Sequence, residues 1–517
     1  MRETAHLLAG AGSARVTRFL TDTGWHRGWS VIVVALAAAS AGALTVIAPI
    51  AALAAAFATA VVLLLMMRER LIIWFLFGVV VLLIGYWFWG RPFAHIGAAP
   101  IYIGEPGVVL ALLVLFRSVW SSFKPRTLEL LVLSFMFLGA VRTLPYLESY
   151  GIDALRDATL WGYAIFALAL ASVVTARHVT AAVSIYRRLV VPFLVVVPIA
   201  AVLAPLVSMS LPTVPGTDVP VLDFKQGDMG VHLAGAAAFV IVGLFQTPGA
   251  RQALLDTLLV PFWLFGLAVA VSLNRGGFVA ANAAWLSLGF FRPPRRWLIT
   301  LPIMALAVLV LAAVDPNVDY GSNGVAPRFQ GREVSLSGFA TSIGSIFADT
   351  GALQGTKQFR LAWWGTIVDY TLSGPYFWSG KGFGVNLADD DGFQVSADHS
   401  LRAPHNTHFT VLARMGVPGL LLWVALQVAF GVQLVAAYFR SRRVGNDFWC
   451  RVDIWLLVYW IAMLVNTSFD PYLEGPQGGI WFWAVIGVGI AVINLQRQPG
   501  REEEEVERYP AKGLEIA

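Results

Sequence analysis

Two histidines in one short stretch of the chain have the residue type and the setting for acid–base chemistry. The stretch "RAPHNTHFTVLARMGVPG", residues 402–419, contains His405 and His408 just after Pro404. Because proline is favoured in the first turn of a helix, this stretch predicts a helix that starts at Pro404 and carries both imidazoles on one face. The partial positive charge of a helix amino end favours a neutral imidazole, which can accept a proton from a hydroxyl near neutral pH. The stretch therefore predicts a general base.

Three arginines form a second candidate group. Arg275 lies in "SLNRGGFVA" at the end of an apolar run, Arg360 in "KQFRLAWWGTIVDY" and Arg156 in "DALRDATLW". An arginine at the end of a hydrophobic helix is costly unless it reaches the interface or holds an anion, and its fork of donors fits phosphate oxygens. We predict that Arg275 binds a phosphate, with Arg360 and Arg156 as further candidates.

Each of these residues also has a structural interpretation. His405 suits a polar helix cap, and Arg275 suits an anchor whose side chain reaches the membrane interface. Arg156 is followed by Asp157, which suggests a local ion pair, and Arg360 fits a water-facing position on its helix. The residues must therefore be judged together.

Metal binding is not predicted. The acidic run "DDDG" at 389–392 lacks the alternating ligands and the glutamate of a calcium loop, so it predicts a solvated turn. His399, His405 and His408 with Asp398 contain no His-x-x-x-His pair, and no cysteine lies nearby.

Composition determines the class of protein. The 517 residues are 58% hydrophobic and only 13% charged, which is too much apolar surface for one soluble core. The net charge of +5 comes from basic residues in short clusters between apolar runs, so they read as topology signals and predict no nucleic-acid partner. The single cysteine, Cys450, excludes an intrachain disulfide framework. The sequence predicts an all-α polytopic membrane protein.

Apolar runs of roughly 17 to 25 residues predict twelve to fourteen transmembrane helices. The fourteen runs begin near residues 30, 51, 71, 105, 127, 159, 189, 231, 253, 277, 297, 416, 453 and 479. Alternate connections carry the basic clusters, namely Arg68 and Arg70, Lys124 and Arg126, Arg187 and Arg188, Arg251, Arg292 with Arg295 and Arg296, Arg440 with Arg442 and Arg443, and Arg497. The positive-inside rule places these connections and both termini in the cytosol.

These spans divide the chain into five parts. They are a cytosolic amphipathic segment (1–28), eleven transmembrane helices (29–314), a large outer loop (315–404), the C-terminal transmembrane helices (405–496) and an acidic cytosolic tail (497–517). In the loop, Phe359, Trp363, Ile367 and Tyr370 recur at helical spacing, which predicts an amphipathic helix with its aromatic face on the outer leaflet. The glycines of "SGPYFWSGKGFGVN" predict tight turns after it.

The motifs taken together resemble those of the O-antigen ligase family. His405 and Asn406 are followed by nine residues, Gly416, two residues and Gly419, which is similar to the family signature. "SLNRGG" around Arg275 is similar to the family's Ser-x-x-Arg-Gly element, and the loop contains "FRLAWW" and "GKGFG" before the histidine. The resemblance extends from about residue 253 to 440, and the predicted span count exceeds the twelve usual for the family.

The resemblance implies a GT-C-like membrane fold and a glycosyltransferase that needs neither a metal nor a cofactor. The donor would be a glycan on undecaprenyl diphosphate and the acceptor a lipid A core sugar, at the periplasmic face of the inner membrane, with inversion at the anomeric carbon. His405 would be the general base, with His408 and Asn406 as secondary candidates. Arg275, Arg360 and Arg156 would bind the diphosphate, and Gly416 and Gly419 would be structural.

Three alternatives remain open. A polymerase of O-antigen or exopolysaccharide would use the same donor and a second lipid-linked chain as acceptor, and a protein O-oligosaccharyltransferase would use a protein. A polysaccharide flippase would also be polytopic, but it predicts charged residues deep inside several spans. Here Arg142, Arg275 and Asp256 lie near predicted span ends.

Overall fold

A computed structural model of the chain describes residues 68–98, 101–120, 125–207, 211–224, 226–245, 263, 265–270, 275–291, 328–329, 332–333 and 354–497. The chain divides into two compact units, Met1–Leu76 and Phe77–Ala517. Only the last nine residues of the first unit are described, and they begin the first helix. All of the candidate site residues lie in the second unit.

The described chain is almost entirely helical. Its helices are α1 (Arg68–Trp89), α2 (Arg91–Ala94), α3 (Gly104–Trp120), α4 (Thr127–Thr143), α5 (Leu147–Tyr150), α6 (Ile152–Gly162), α7 (Ile165–Val173), α8 (Ala176–Val207), α9 (Gln226–Ile241), α10 (Arg275–Phe291), α11 (Gln354–Val368), α12 (Leu387–Asp390), α13 (Thr407–Arg443), α14 (Asp447–Asn466) and α15 (Pro476–Leu495). Three further short helical segments lie at Leu144–Tyr146, Asp369–Ser373 and Tyr472–Glu474. Two-residue strands pair antiparallel, β1 (Gly97–Ala98) with β2 (Ile101–Tyr102) and β3 (Arg328–Phe329) with β4 (Arg332–Glu333).

Six of the described helices are long and apolar enough to cross a membrane, and the bent pair α6 and α7 would make a seventh. The six candidate spans begin in α1, α4, α8, α13, α14 and α15. The helices α9 and α10 are also apolar but are shorter. The chain is therefore an all-α polytopic membrane protein. Ten predicted span starts fall within described helices, near residues 71, 105, 127, 159, 189, 231, 277, 416, 453 and 479. Those near 30, 51 and 297 lie outside the described residues, as does most of the one near 253.

The last three long helices form the part of the bundle that matters for the site. α14 packs against α9, α10 and α13, while α15 packs against α7 and α13 also contacts α4. Tryptophan and tyrosine rings such as Trp423, Trp483 and Tyr459 are fully buried between these helices. The packing brings the start of α13, the end of α14 and the start of α15 to one end of the bundle. We call this end, marked by Thr407, Asn466 and Pro476, the loop end.

α13 is bent near its start by a glycine in a backbone conformation that other residues avoid. Gly416 has φ 69° and ψ −169°, which divides α13 into a short arm, 407–415, and a long span, 417–443. At the bend the backbone of α13 bonds to the loop, since the Val417 amide donates to the Phe377 carbonyl at 2.8 Å. A Cβ at Gly416 would lie 2.5 Å from that carbonyl oxygen. The loop therefore docks on the bundle through a site where only glycine fits.

The aromatic face of α11 does not lie on a lipid surface as the sequence predicted. Trp363 and Ile367 are fully buried, in one cluster with Leu387 of α12 and with Leu412 and Ala413 of the α13 arm. The prediction was wrong because the apolar face of α11 meets a second apolar face supplied by the arm, and burial against protein satisfies both. α11 is thus a rigid part of the loop end.

Replacing Gly416 by alanine should destabilise the protein. The added Cβ meets backbone atoms of the docked loop, and the left-handed conformation itself costs about 1–3 kcal/mol for other residues. We expect Gly416→Ala to lower the thermal unfolding temperature of the detergent-solubilised protein. The control is Gly289→Ala in α10, where a Cβ meets nothing within 4 Å and should be neutral or stabilising by about 0.5–1 kcal/mol. Equal unfolding temperatures for the two variants would contradict the assigned role of the bend.

Candidate functional site

His405 lies at the loop end, immediately before the first turn of α13. Asn406 is the N-cap of that helix, and its side-chain oxygen accepts hydrogen bonds from the His408 amide at 2.9 Å and the Phe409 amide at 3.3 Å. The predicted helix start at Pro404 is therefore three residues too early, because an asparagine cap satisfies the exposed amides better than proline does. His405 consequently lies outside the helix and does not share a helical face with His408.

The backbone of His405 is strained and is held from both sides. Its φ of 53° is in the left-handed region, which is uncommon for residues other than glycine; among the described non-glycine residues only His399, with φ 54°, shares it. On one side is the Asn406 cap. On the other, the indole nitrogen of Trp364 donates to the Pro404 carbonyl at 2.9 Å, and the Trp364 ring stacks on Phe409 with centroids 4.9 Å apart. The half-buried imidazole is thus presented by a fixed peptide segment.

His408 has a different environment from His405. Its Nδ1 accepts a hydrogen bond from the indole nitrogen of Trp423 at 3.0 Å. Because an indole nitrogen only donates, Nε2 of His408 carries the proton, and it faces the hydroxyls of Ser468 at 3.1 Å and Thr467 at 3.2 Å. Both ring nitrogens are occupied by protein groups, so this histidine braces α13 against the segment that follows α14.

Arg360 is brought to the same corner as His405. Its Nη1 donates to the Phe469 carbonyl at 3.1 Å, and it lies one helical turn before Trp364 on α11. The segment that contains Phe469 also contacts the start of α13, since the Thr407 amide donates to the Thr467 carbonyl at 2.8 Å. The structure therefore places a guanidinium and an imidazole around one junction of α11, α13 and the end of α14.

The other two predicted arginines, Arg275 and Arg156, begin or lie on other helices. Arg275 is the first residue of α10, which approaches α9 tightly, because a Cβ on Gly230 would lie 2.9 Å from the Gly277 Cα. The Arg275 side chain is outside the described residues. Arg156 is exposed on α6. The ion pair predicted between Arg156 and Asp157 is replaced by another pairing of Asp157.

Asp157 binds two arginines from the segment around the candidate base. Its carboxylate pairs with Arg402 Nη2 at 3.0 Å and Arg414 Nη2 at 3.0 Å, and it accepts the Gly384 amide at 3.0 Å. Arg414 is only 2% exposed and also donates to two loop carbonyls, those of Gly382 and Val385. Sequence reasoning missed this cluster because its partners are far apart in the chain. Its effect is to fix the peptide that leads into His405.

A second buried ion cluster fixes α11 to the rest of the loop. Lys381 pairs with Asp390 and Asp391, and the Asp391 carboxylate also accepts the indole hydrogen of Trp363 at 2.7 Å. Burial would lower the pKa of Lys381, but hydrogen bonds and attraction from the two carboxylates outweigh it and raise that pKa above its ordinary value. The "DDDG" run is exposed at Asp389, Asp390 and Gly392, as a solvated turn would be, but the Asp391 side chain is buried as a counter-charge of Lys381.

Metal ligands are not assembled at this corner. Within the described part of the chain, no three histidine, cysteine, aspartate or glutamate side chains are grouped so that they could hold a metal ion. The groups that can act here are an imidazole, a guanidinium and backbone amides. Such a set suits proton transfer from a hydroxyl together with stabilisation of an anion.

Part of the chain matches the model of a known protein family. Residues 260–424 match the family model described as O-antigen ligase, a range that includes Arg275, Arg360, His405, Gly416 and Gly419. No curated protein sequence matches the chain. The match supports a glycosyltransferase-like membrane enzyme of the O-antigen ligase or polymerase type, a family that acts on lipid-linked glycans and acceptors in general.

The Asp157 cluster makes a stability prediction. Asp157→Asn removes the only charge shared by Arg402 and Arg414 in their pairing with α6 and should cost about 3–5 kcal/mol, as loss of one partner from a buried pair does. Asp153, whose side chain is 44% exposed, pairs with Arg402 at 3.4 Å and provides the matched control. Asp153→Asn should cost less than about 1 kcal/mol because water screens that pair. Chemical unfolding in detergent would measure both, and a small effect of Asp157→Asn would show that the cluster does not hold the loop.

Proposed function

We propose that the chain, which carries an O-antigen ligase family domain over residues 260–424, transfers a glycan from undecaprenyl diphosphate to a lipid A core sugar. The observation that carries the proposal is the strained His405, held on both sides at the junction to which Arg360 is also bonded, inside the matched range. A left-handed backbone at a non-glycine residue is often found at functional sites. His399 has the same conformation, but its side chain is 67% exposed and pairs with Asp389. An imidazole held in one orientation near a guanidinium suits a general base that takes a proton while a negatively charged leaving group departs.

In the proposed reaction, a hydroxyl of the acceptor attacks the anomeric carbon of the donor sugar. The His405 imidazole takes the hydroxyl proton as the new carbon–oxygen bond forms. The bond from the anomeric carbon to the diphosphate oxygen breaks, and its electron pair stays on the diphosphate. Attack opposite the leaving group inverts the anomeric configuration, and the products are the glycosylated acceptor and undecaprenyl diphosphate.

The arginines would stabilise the departing diphosphate. Arg360 is oriented by its bond to the Phe469 carbonyl, which fixes the plane of the guanidinium at the corner that holds His405. Arg275 begins a helix, where backbone amides and the helix dipole also favour an anion. We assign Arg275 and Arg360 to the diphosphate, with Arg156, exposed on α6, as a third candidate. Neither a metal nor a cofactor enters this mechanism.

The orientation in the membrane follows from the charges at the helix ends. Arg440, Arg442 and Arg443 lie in the last turn of α13, at the end opposite to the loop end. The positive-inside rule then places the loop end in the periplasm and both termini in the cytosol of an inner-membrane protein. This orientation would present His405 to a donor whose glycan lies outside the membrane and whose polyprenyl tail lies among the spans.

Two variants should separate proton transfer from donor binding. His405→Ala should abolish transfer to lipid A core while undecaprenyl-diphosphate glycan still binds, because only the base is lost. Arg275→Lys should weaken donor binding, because a point charge cannot replace the two-pronged contact to phosphate. The measurements are release of undecaprenyl diphosphate and binding of labelled donor by the purified protein in lipid nanodiscs.

Normal product release by His405→Ala would remove the central assignment, and full donor binding by Arg275→Lys would leave that arginine as an anchor. The same assay with a second lipid-linked glycan or a protein as acceptor distinguishes a ligase from a polymerase or a protein glycosyltransferase.

Trp364 supplies a test of the strained geometry. Trp364→Phe keeps an aromatic ring to stack on Phe409 but loses the hydrogen bond to the Pro404 carbonyl. Because small misplacement of a catalytic group can cost about a hundredfold in rate, we expect kcat to fall by about tenfold or more with little change in the donor KM.

The neighbouring tryptophan is the control for that variant. Trp363→Phe removes an equally short hydrogen bond, to Asp391, but on the buried face away from Pro404. It should lower thermal stability and leave kcat of the folded protein nearly unchanged. Equal kcat losses in the two variants would indicate general loosening of α11.

A further inference from the structure

Trp378 is an exposed tryptophan in the loop, outside every described helix. Its side chain is 77% exposed, and Leu372, in the turn that ends α11, is 52% exposed. Elsewhere in the loop the aromatic residues of α11 are buried or half-buried against protein. A large apolar side chain in this position suits an apolar partner, because covering it removes a large apolar area from water.

The backbone places Trp378 beside the bend in α13. The carbonyl of Phe377 accepts the Val417 amide at 2.8 Å, and a Cβ at Gly416 would lie 3.0 Å from the carbonyl carbon of Trp378. Trp378 is therefore at the height of Gly416 along the axis of the bundle. Its depth relative to a bilayer follows from the depth of that glycine.

The long span of α13 gives this depth. Arg440, Arg442 and Arg443 in its last turn mark the polar boundary at the far end. An apolar core of about 30 Å takes about 20 helical residues, so from Arg440 it reaches to about residue 420. Gly416 then lies about 6 Å beyond the core, within the headgroup layer.

The exposed surface of α13 agrees with this boundary. Leu421, Val424, Val428 and Val432 are all exposed and recur at helical spacing, which is a lipid-facing stripe. The stripe begins just over one turn after the bend. Trp378, whose backbone lies at Gly416, is therefore on the loop-end side of the first residue of this stripe.

We propose that Trp378, with Leu372, is a lipid anchor that inserts into the headgroup layer of the leaflet on the loop-end side. Tryptophan suits this layer, since its ring is apolar and its indole nitrogen can donate to headgroup oxygens. The anchor holds the loop through the Phe377–Val417 contact and so sets the height of α11 above the bilayer. The partner is the lipid surface itself, and the anchor does not depend on the proposed reaction.

Site-specific quenching by lipid tests the anchor. In a Cys450→Ser background, which removes the chain's single cysteine, Trp378→Cys is labelled with a fluorescent probe in full-length protein. The protein is placed in nanodiscs of phosphatidylethanolamine and phosphatidylglycerol that contain spin-labelled lipid. A label near the headgroup should quench the probe several-fold more than a label near the end of the acyl chain.

Two exposed apolar positions give the controls. Leu421→Cys, 63% exposed on the stripe, should be quenched by acyl-chain labels. Val395→Cys, 73% exposed among the polar residues Ser396, Asp398, His399 and Ser400, should be quenched by aqueous iodide and little by either lipid label. If the probe at 378 behaves like that at 395, Trp378 faces water and the anchor is wrong. Since the readout needs no glycan transfer, failure of the proposed reaction would leave this result unchanged.

Discussion

The structure of the loop end depends on one buried carboxylate, Asp157, which forms ion pairs with two arginines. Arg402 and Arg414 come from either side of the candidate base, and both reach the same side chain on α6. A buried guanidinium is costly unless it is paired and hydrogen-bonded, so neither arginine can move away without leaving a charge unmet. The segment between them, which includes His405, is therefore pinned at both ends to the helix bundle.

Close backbone contacts between the loop and α13 also position the segment around His405. At Gly416 the helix bends and offers an amide to the loop, and at Gly380 a Cβ would lie 2.4 Å from the Arg414 carbonyl carbon. Because neither glycine has a side chain, the backbone of the loop lies directly against α13. The Lys381 backbone amide donates to the Ala413 carbonyl at 2.7 Å. The loop is consequently part of the same rigid body as the arm of α13, which suits a site that must hold a strained histidine.

Local sequence patterns predicted the helix α11, but they did not predict what covers its apolar face, where Asp391 points or where α13 begins. The helix at α11 followed from the spacing of Phe359, Trp363, Ile367 and Tyr370, but the spacing did not say whether protein or lipid covers that face. "DDDG" was expected to be solvated, which holds for Asp389 and Asp390, but the sequence did not show that Asp391 turns inward to Lys381, ten residues before it. Pro404 suggested a helix start, whereas Asn406 two residues later satisfies the amide groups and sets the boundary.

The sequence by itself determined the class of the protein, because the thickness of a bilayer demands long apolar runs that can be read directly. It also singled out His405, Arg275 and the two glycines as candidates, through their resemblance to the motifs of one family. Only the tertiary structure showed that both ring nitrogens of His408 meet protein groups. It also showed that Arg360 bonds the Phe469 carbonyl, whereas Arg402 and Arg414 both pair with Asp157. These are questions of which distant residues meet, and buried pairs such as Asp157 with Arg402, 245 residues apart, leave no local pattern in the chain.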